Sequence, residues 1–412
     1  MSLRHRDLDR SLLLLPPAPS PPTYAALKTA YGACLSTVLQ KLSRSPQRSH
    51  APPMLDIALP CPHLYGNLNS PRGPLYASTQ SLVAGLYKLL CVLAAKDSID
   101  TENAEGVDAR VILVAYPRNG KLAQPSDRGS ADQDAQGPAI GLHALARCPR
   151  PWGTVYSVES EEGEVILKNF LALSPSERTV LRVSGGIVPV SSPPSPLGSA
   201  KDVIAAKNYH AVAVGGTFDH LHMGHKLLLT MFAFVLGRRS PADDNKQPSS
   251  LTIGITGDEL LKNKKYAEYL ESWQDRQQAA HDFLSSVIHF GHPDDGRIHI
   301  EEMTVPGPNG HAVHVTYPSN LVVKYVEIWD PFGPTITDES ISALVISGET
   351  RSGGKAVNDK RAERGWGPLD VFEVDVLDAG EEEKLDETFQ SKLSSTEIRR
   401  MQSERARPQA HA

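Results

Sequence analysis

An eleven-residue segment combines glycines with imidazoles in a pattern suited to phosphate chemistry. Residues 215–225, here called the glycine–histidine segment, read Gly-Gly-Thr-Phe-Asp-His-Leu-His-Met-Gly-His. They follow an apolar run at residues 211–214 and precede a helical pattern at residues 226–237. Glycines permit a tight turn after a strand, and the next helix directs unpaired N–H groups and its positive dipole end at that turn. His222 and His225 can donate to oxygens that gain charge, so the segment predicts phosphoryl or nucleotidyl transfer without a covalent nucleophile.

A serine-rich helix start lies near the other end of the chain. Residues 393–400 read Leu-Ser-Ser-Thr-Glu-Ile-Arg-Arg, in which Ser394 or Ser395 can serve as the N-cap and Glu397 can complete a capping box. Alone, this pattern indicates only a capped helix, because capping motifs are far commoner than active sites. Together with the glycine–histidine segment, it can place two helix N-termini around one triphosphate.

The elements that must position these motifs form an alternating pattern. Strands are predicted at residues 211–214, 251–256, 297–302, 343–347 and 369–376, with helices between them. Such alternation implies crossover connections and a parallel sheet with helices on both faces, where ligands bind beyond the carboxyl ends of the strands. The polar, proline-containing residues 238–250 are predicted to form a surface insertion without a catalytic role.

The proline-rich segment at residues 188–207 predicts a linker between two domains. The predicted organisation is a disordered N-terminus at residues 1–22, a smaller α/β domain of unknown role at 23–187, the linker, a second domain at 208–405 and a polar tail at 406–412. Within the first domain, helices are predicted at residues 23–42 and 79–95, and strands at 110–116 and 154–158. This domain shows no chemical motif.

Composition narrows the class of protein. The 412 residues exceed the usual size of one core, and the net charge of −6 gives no basic footprint for nucleic acid. Four cysteines, Cys34, Cys61, Cys91 and Cys148, lack paired metal-ligand spacing and indicate a reduced, cytoplasmic protein. No stretch approaches the roughly 20 apolar residues needed to cross a bilayer, so we expect no membrane association. His311 and His314 lack a third ligand, so no protein metal site is predicted.

Four ordered motifs resemble one enzyme family. The glycine–histidine segment and the terminal Ser-Ser-Thr-x-x-Arg resemble the nucleotidylyltransferase superfamily, and closely resemble the eukaryotic phosphopantetheine adenylyltransferases. Residues 252–276, with Gly-Ile-Thr-Gly-Asp-Glu-Leu-Leu-Lys-Asn-Lys-Lys, are similar to that family's second strand and lysine loop. Residues 346–358, with Ile-Ser-Gly-Glu-Thr-Arg-Ser-Gly-Gly-Lys-Ala-Val-Asn, are similar to its substrate-side loop. The resemblance covers about residues 208–405 and is specific because the motifs occur in order.

The resemblance implies a fold and a reaction. The fold is α/β, with a Rossmann-like nucleotidylyltransferase domain built on a parallel sheet. In the reaction, ATP with Mg²⁺ and 4′-phosphopantetheine give dephospho-coenzyme A and pyrophosphate, a step of coenzyme A biosynthesis. The substrate phosphate attacks the α-phosphorus in line, and the protein contributes positioning and charge stabilisation without a catalytic base. Other enzymes of the pathway are the macromolecular partners that the resemblance suggests, with no nucleic acid and no membrane.

The resemblance also implies roles for individual residues. Catalysis is expected from His222, His225 and Lys264, with His225 the first choice for transition-state stabilisation. ATP is expected to contact Gly215, Gly216, His222, Gly224, His225, Asn358, Ser394, Ser395, Thr396 and Arg399. The phosphopantetheine side is expected to involve Thr217, Lys264, Thr350 and Arg351.

Several assignments stay open at this point. Lys264 is chosen by alignment from a cluster that also contains Lys262 and Lys265, of which any could neutralise phosphate charge. Asp219 either holds the turn or contacts a ligand. The arginine-rich loop of the bacterial enzymes has no counterpart at residues 347–350, and Arg351 or Arg361 is expected to replace one of those arginines.

Competing functions remain within and outside this superfamily. Cytidylyltransferases share the logic of the first motif, but this chain has no Gly-Ile before its terminal serines. Adenylyltransferases acting on nicotinamide mononucleotide are another near relative. A non-catalytic scaffold of the coenzyme A pathway is the alternative from a different class. The chain lacks a Gly-x-x-x-x-Gly-Lys-Ser/Thr phosphate loop, so it resembles the fungal-type arrangement, in which another polypeptide is expected to perform the next step.

Overall fold

The computed structural model describes residues 10–45, 52–101, 106–123, 131–186, 207–238, 247–292, 295–304, 308–377 and 394–406. The chain forms two compact units. The first comprises Met1–Asn208, Ser240–Ala242 and Ser286–Asp295, and the second comprises Tyr209–Arg239, Asp243–Ser285 and Gly296–Ala412. The predicted linker, apart from residue 207, and the predicted polar tail, apart from residue 406, lie outside the described residues.

The first unit is built on a six-stranded parallel sheet with the order β4-β3-β2-β1-β5-β6. Its strands are β1 (Arg10–Leu14), β2 (Met54–Pro60), β3 (Asp108–Ala115), β4 (Ala139–Gly141), β5 (Thr154–Glu159) and β6 (Val180–Ser184). Its helices are α1 (Tyr24–Ser43), α2 (Gly73–Lys96), α3 (Ala131–Asp134), α4 (Leu142–Arg147) and α5 (Glu161–Leu173). The two predicted helices and two predicted strands are confirmed as α1, α2, β3 and β5.

The predicted disorder of residues 1–22 is wrong for residues 10–22. β1 lies inside the sheet between β2 and β5, and Leu12, Leu13 and Leu14 are fully buried. A run of leucines suits a strand that is covered on both faces of a parallel sheet. The prolines begin only after the strand ends, so they do not interrupt its hydrogen bonds.

Helix α2 is long and apolar enough to cross a membrane by length and composition alone. The sequence had suggested no such segment. However, 72% of its apolar window is buried within the protein. Such burial is typical of a core helix, which is apolar on all sides because neighbouring elements cover it.

The second unit is built on a seven-stranded sheet with the order β13-β12-β7-β8-β11-β10-β9. Its strands are β7 (Ala211–Gly216), β8 (Ser249–Thr256), β9 (His299–Met303), β10 (Ala312–Tyr317), β11 (Leu321–Ile328), β12 (Ala343–Ser347) and β13 (Asp370–Val374). Its helices are α6 (Met223–Val235), α7 (Trp273–Ile288), α8 (Arg351–Glu363) and α9 (Ser395–Ala406). The strand pairs from β13 to β11 are parallel, which confirms the α/β class and the Rossmann-like parallel sheet.

An antiparallel extension was not expected from the sequence. The predicted strand at residues 297–302 is β9, but it pairs antiparallel with β10, which pairs antiparallel with β11. A tight turn joins β10 to β11, and Asn320 adopts a left-handed conformation there with φ of 60°. Short connections permit antiparallel pairing, whereas a parallel pair needs a crossover. The alternating pattern therefore predicted β7, β8, β12 and β13, but it missed β10 and β11 and the antiparallel pairing of β9.

The strand order reverses at β7, which has β8 on one side and β12 on the other. In open α/β sheets, ligands bind beyond the carboxyl ends of the strands at such a reversal. β7 ends at Gly216, within the glycine–histidine segment, and β12 ends at Ser347. The fold therefore brings two of the four sequence motifs to the expected ligand edge.

Candidate active site

The glycine–histidine segment makes a compact turn between β7 and α6. Phe218 and His220 both adopt left-handed backbone conformations, with φ of 53° and 47°. Such conformations are costly for non-glycine residues and persist only where the surroundings hold them. Phe218 is fully buried, and its ring lies so close to Gly216 that a Cβ there would meet it at 3.0 Å. The N–H of His220 donates to Glu271 Oε2 at 2.7 Å.

The two predicted catalytic histidines stack at the start of α6. His222 is the N-cap, and its Nδ1 accepts the N–H of His225 at 3.4 Å. The rings lie 3.8 Å apart, centroid to centroid, at an interplanar angle of 17°. Gly224 makes this stack possible, since a Cβ there would lie 3.1 Å from His222 Cε1. Among the described residues, the buried Nδ1 of His225 has no hydrogen-bond partner.

Both imidazoles are held in the neutral form. Burial lowers the pKa of His222 well below its usual value, and the neighbouring His225 lowers it further. Burial lowers the pKa of His225 to about 4, despite the opposing effect of the Asp219 carboxylate. A neutral imidazole still has one N–H donor. The pair is therefore suited to hydrogen bonding to phosphate oxygens near neutral pH rather than to carrying an extra proton.

Helix α9 begins beside the glycine–histidine segment. Ser394 is its N-cap, because Ser394 Oγ accepts the N–H of Glu397 at 3.4 Å. The hydroxyl of Ser395 donates to the carbonyl of Asp219 at 2.7 Å. Thr396 is exposed on the first turn. The structure thus places the starts of α6 and α9 at the same turn. The first turn of a helix leaves N–H groups without an acceptor inside the helix, so two helix starts at one turn suit an anion.

Asp219 and Arg399 form a buried ion pair within this cluster. Arg399 is 2% exposed, Asp219 is fully buried, and Nη1 of Arg399 donates to Asp219 Oδ2. Of the two roles left open for Asp219, this geometry favours holding the turn. Arg399 was expected to contact ATP, but its guanidinium is turned inward onto the carboxylate. Its position fits a structural contact better than a phosphate ligand.

The loop that contains the lysines packs against the same turn. We call residues 257–272 the lysine loop. The carbonyl of Lys265 accepts Arg399 Nε at 3.1 Å, and the N–H of Glu271 donates to Asp219 Oδ1 at 3.0 Å. The side chains of Lys264 and Lys265 are exposed, whereas the exposed Lys262 pairs with Glu259. The backbone of the loop therefore contacts the turn from which α6 begins and the Arg399 side chain of α9, and Lys264 and Lys265 are exposed on this loop.

Sequence reasoning missed Arg276, which is the most buried cation of the site. Its guanidinium donates to the carbonyls of Thr217, Thr256 and Glu271 at 2.7, 2.9 and 3.0 Å, and to Asp258 Oδ1 at 2.6 Å. Arg276 is fully buried. The only signal in the sequence was an arginine in the first turn of the helix that follows the lysine loop.

The fourth motif lies one strand away, beyond the end of β12. Thr350 Oγ1 donates to the carbonyl of Ser347 at 3.1 Å, and Arg351 is exposed and pairs with Glu373. Asn358 binds both backbone groups of Leu369, at 2.8 and 3.0 Å. The predicted nucleotide contact of Asn358 is therefore not supported, because its amide holds the start of β13.

Arg361 also differs from its expected role. It was one of two candidates to replace a bacterial substrate-loop arginine. The structure buries it at 3% exposure, where it donates to the carbonyls of Gly367, Thr335, Glu339 and Ile341. A guanidinium that binds four carbonyls has few N–H groups left for a substrate. Arg351 is the candidate that remains accessible.

Comparison with known proteins gives one match to a family model and several relatives. Residues 1–189 match the model of a domain of unknown function, DUF8446. An uncharacterized protein of Schizosaccharomyces pombe is 32% identical over 251 residues, which are 60% of this chain and 64% of that protein. The phosphopantetheine adenylyltransferase of Saccharomyces cerevisiae is 37% identical over 203 residues, 49% of this chain and 52% of that enzyme. The matches thus span less than two thirds of these two relatives.

An archaeal relative is covered more completely. The phosphopantetheine adenylyltransferase of Thermococcus kodakarensis is 31% identical over 171 residues, which are 42% of this chain and 78% of that protein. That length agrees with the size of the second unit, which carries all four motifs. The chain belongs to the phosphopantetheine adenylyltransferase family.

Proposed function

We propose that the second unit transfers AMP from ATP to 4′-phosphopantetheine, giving dephospho-coenzyme A and pyrophosphate. The observation that carries this proposal is the stacked, neutral pair His222 and His225 at the start of α6, with the start of α9 beside it. Two helix N-termini and two imidazole donors suit a triphosphate better than a singly charged ligand. The named relatives support the same substrates.

The reaction needs no protein nucleophile. An oxygen of the phosphopantetheine phosphate forms a bond to the α-phosphorus of ATP, and the bond from that phosphorus to the bridging oxygen of the β-phosphate breaks. The electron pair leaves with pyrophosphate. Negative charge then grows on the α-phosphate and on the leaving group, where donors fixed in advance are most effective. His225 is proposed to donate to these oxygens, with His222 fixing its orientation through the ring stack.

The remaining roles follow from position. Thr217, beside the glycine turn, is proposed to orient the attacking phosphate, with Lys264 from the lysine loop neutralising its charge. Gly215 and Gly216 leave the backbone open to close approach. Ser395 and Thr396 at the start of α9 are proposed to receive the β- and γ-phosphates. Arg351 is the exposed cation proposed to contact the phosphopantetheine side.

Magnesium is proposed to arrive with ATP. Within the described part of the chain, no group of three or more His, Cys, Asp or Glu side chains is placed to hold a metal ion. The nearest carboxylate of the turn, Asp219, is already paired with Arg399. Mg²⁺ is commonly bound through substrate phosphates and water with few protein ligands, so these residues are compatible with an ion held by the triphosphate.

A direct assay tests the proposal. The purified full chain is incubated with ATP, Mg²⁺ and 4′-phosphopantetheine, and pyrophosphate and dephospho-coenzyme A are quantified. Equal amounts of both products are expected, with none when phosphopantetheine is omitted. CTP with phosphocholine and ATP with nicotinamide mononucleotide serve as parallel substrate pairs. Turnover of either pair instead would identify another nucleotidylyltransferase, and absence of product with all pairs would favour a non-catalytic scaffold.

The cellular setting is a further proposal. The charge balance suits a cytoplasmic protein, as does the state of the four cysteines, which are all buried and form no disulfide. The first unit is proposed to mediate contact with other enzymes of coenzyme A synthesis. Fractionation of cells that express the tagged full chain, followed by co-purification, checks both statements. Recovery without any pathway enzyme would contradict the second.

A further inference from the structure

The lysine loop is fastened to the glycine–histidine segment by two buried guanidiniums, Arg276 and Arg399. Burial of a charged group is costly unless it is paired and its N–H groups are satisfied. Here the acceptors come from the two segments that must meet in the proposed active site. Each arginine therefore links the lysine loop to the glycine–histidine segment, because it binds both at once.

Arg399 holds the middle of the loop. It donates to Asp219 of the glycine–histidine segment and, through Nε, to the carbonyl of Lys265 at 3.1 Å. Its Nη2 also donates to Oγ1 of Thr396, a residue on the first turn of the same helix, at 3.3 Å. One guanidinium thus joins the turn, the loop and the start of α9.

Arg276 holds the two ends of the loop. Asp258 and Glu271, near its beginning and end, both accept from this guanidinium. The same side chain binds the carbonyl of Thr217 at 2.7 Å. With Lys265 held by Arg399, the loop is anchored at three points along its length.

We propose that Arg399, paired with Asp219, is a positioning residue that sets the place of the lysine loop relative to His222 and His225. It acts through the backbone of Lys265 and does not contact phosphate. Its effect on turnover rests on the proposed function, whereas its effect on the loop does not. Because Lys264 directly precedes the anchored residue, release of the anchor moves its ammonium group. A displacement of about 1 Å can cost about a hundredfold in rate.

Amide hydrogen exchange without any substrate tests the anchor itself. The variants are Asp219→Asn, Arg399→Gln and the double variant, in which the two new amides can still hydrogen-bond to each other. Arg400→Gln is the matched control, because Arg400 is the next residue on α9 and pairs with Glu397 and Glu404 of the same helix. Exchange in residues 257–272 is expected to quicken about tenfold or more in the singles and to stay unchanged in the control. Unchanged protection in all three variants would overturn the proposal.

Kinetics then separate an anchor from a phosphate ligand. For an anchor, Asp219→Asn and Arg399→Gln each lower kcat by about tenfold to a hundredfold with little change in KM for ATP. The double variant is no slower than the slower single, because both changes remove the same contact. A rise in KM for ATP with Arg399→Gln alone, additive to the effect of Asp219→Asn, contradicts the proposal.

Folding and function are controlled separately. Thermal unfolding of each variant fixes a temperature at which it is folded, and Arg399→Lys, which keeps the charge, is added where Arg399→Gln is too unstable. The lysine variant is expected to retain part of the loop protection and part of kcat, since it keeps the ion pair but loses the planar set of donors. Faster exchange in the variants of a chain that turns over no substrate would uphold the anchor and reject the proposed function.

Discussion

The two units contain sheets that reverse order at their first strand, yet only one of these reversals is followed by the glycine–histidine segment. β1 lies between β2 and β5, and β7 lies between β8 and β12. After β1 the chain reads Leu-Pro-Pro-Ala-Pro, and these residues are buried. After β7 it continues from two glycines into the turn. Proline has no N–H to offer an anion, whereas glycine leaves the backbone open. Both sheets therefore have a reversal of strand order at which a ligand could bind. The residues of the turn decide whether the backbone there can bind an anion.

The helix starts differ in the same way. α1 is capped by Thr23, whose Oγ1 accepts the N–H of Ala26 at 3.3 Å. α6 is capped by His222, whose ring also stacks on His225. A threonine cap satisfies the helix and does nothing more. A histidine cap satisfies the helix through one nitrogen and retains a donor on the other.

The largest expected effect comes from removing His225 at the start of α6. His225→Ala is expected to lower kcat by about a hundredfold or more, because it removes a donor aimed at charge that develops in the transition state. Pyrophosphate release measures the loss. His314→Gln on β10 is the matched control and should keep its rate. Wild-type turnover by the alanine variant would reject the role of His225.

The next largest effect is expected from acid, which should lower the free energy of unfolding by protonating the histidine pair. The unfolded chain binds protons at His222 and His225 below about pH 6.5, whereas the folded chain keeps His225 neutral down to about pH 4. The contribution of this pair to the free energy of unfolding is therefore fully present above pH 6.5, and it is lost as the pH drops towards 4. Urea titrations across this range measure the slope. His225→Gln should make the slope shallower, and an identical slope would contradict the buried, neutral state.

Replacing one glycine of α6 and one glycine of α1 by alanine tests the difference between these two helices. In Gly224→Ala the new methyl group meets the ring of His222 at 3.1 Å, so the stack must shift and kcat is expected to fall about tenfold. In Gly32→Ala, within α1, the nearest atom is 3.9 Å away. That change is expected to stabilise the protein by about 0.5–1 kcal/mol without affecting kcat. Equal kinetic effects of the two variants would show that the ring stack is unimportant.

The smallest effect is expected at the cap of the first unit. Thr23→Ala should lower the free energy of unfolding by about 1 kcal/mol, because one N–H of α1 loses its acceptor. Chemical denaturation measures this change. Turnover per folded molecule should stay at the wild-type value, since the proposed chemistry belongs to the second unit. A large kinetic loss would show that the first helix start also serves the reaction.

The motifs could be predicted because their chemistry is local. Ser394 caps α9 through a residue three positions away, so the sequence identified a serine cap with Ser394 and Ser395 as its candidates. His222 caps α6 over the same spacing, but the sequence indicated only a donor to phosphate there. Four strands of the second sheet, β7, β8, β12 and β13, were predictable for the same reason, since apolar runs and helices alternate. The hairpin of β10 and β11 was not predicted, because its short connection breaks the alternation on which the parallel reading depended.

Long-range pairing set the limit of prediction. Asn358 and Arg361 have side chains that suit ligand binding, and the structure uses them to hold backbone carbonyls instead. Their residue type says that they can donate hydrogen bonds, but the acceptor depends on which segment packs nearby. β1 was misread for a similar reason, because the prolines after it suggested disorder and its partners β2 and β5 lie far along the chain.

The sequence by itself determined the glycine turn, the serine-capped helix start and the strand that ends in the glycine–histidine segment. The tertiary structure alone decided that Arg399 reaches Asp219, 180 residues away, and that Arg276 reaches Thr217, 59 residues away. Caps and turns are satisfied by neighbours in the chain, so their residues reveal them. A buried guanidinium is satisfied by whichever carbonyls and carboxylates the fold brings to it, and that choice exists only once the chain has folded.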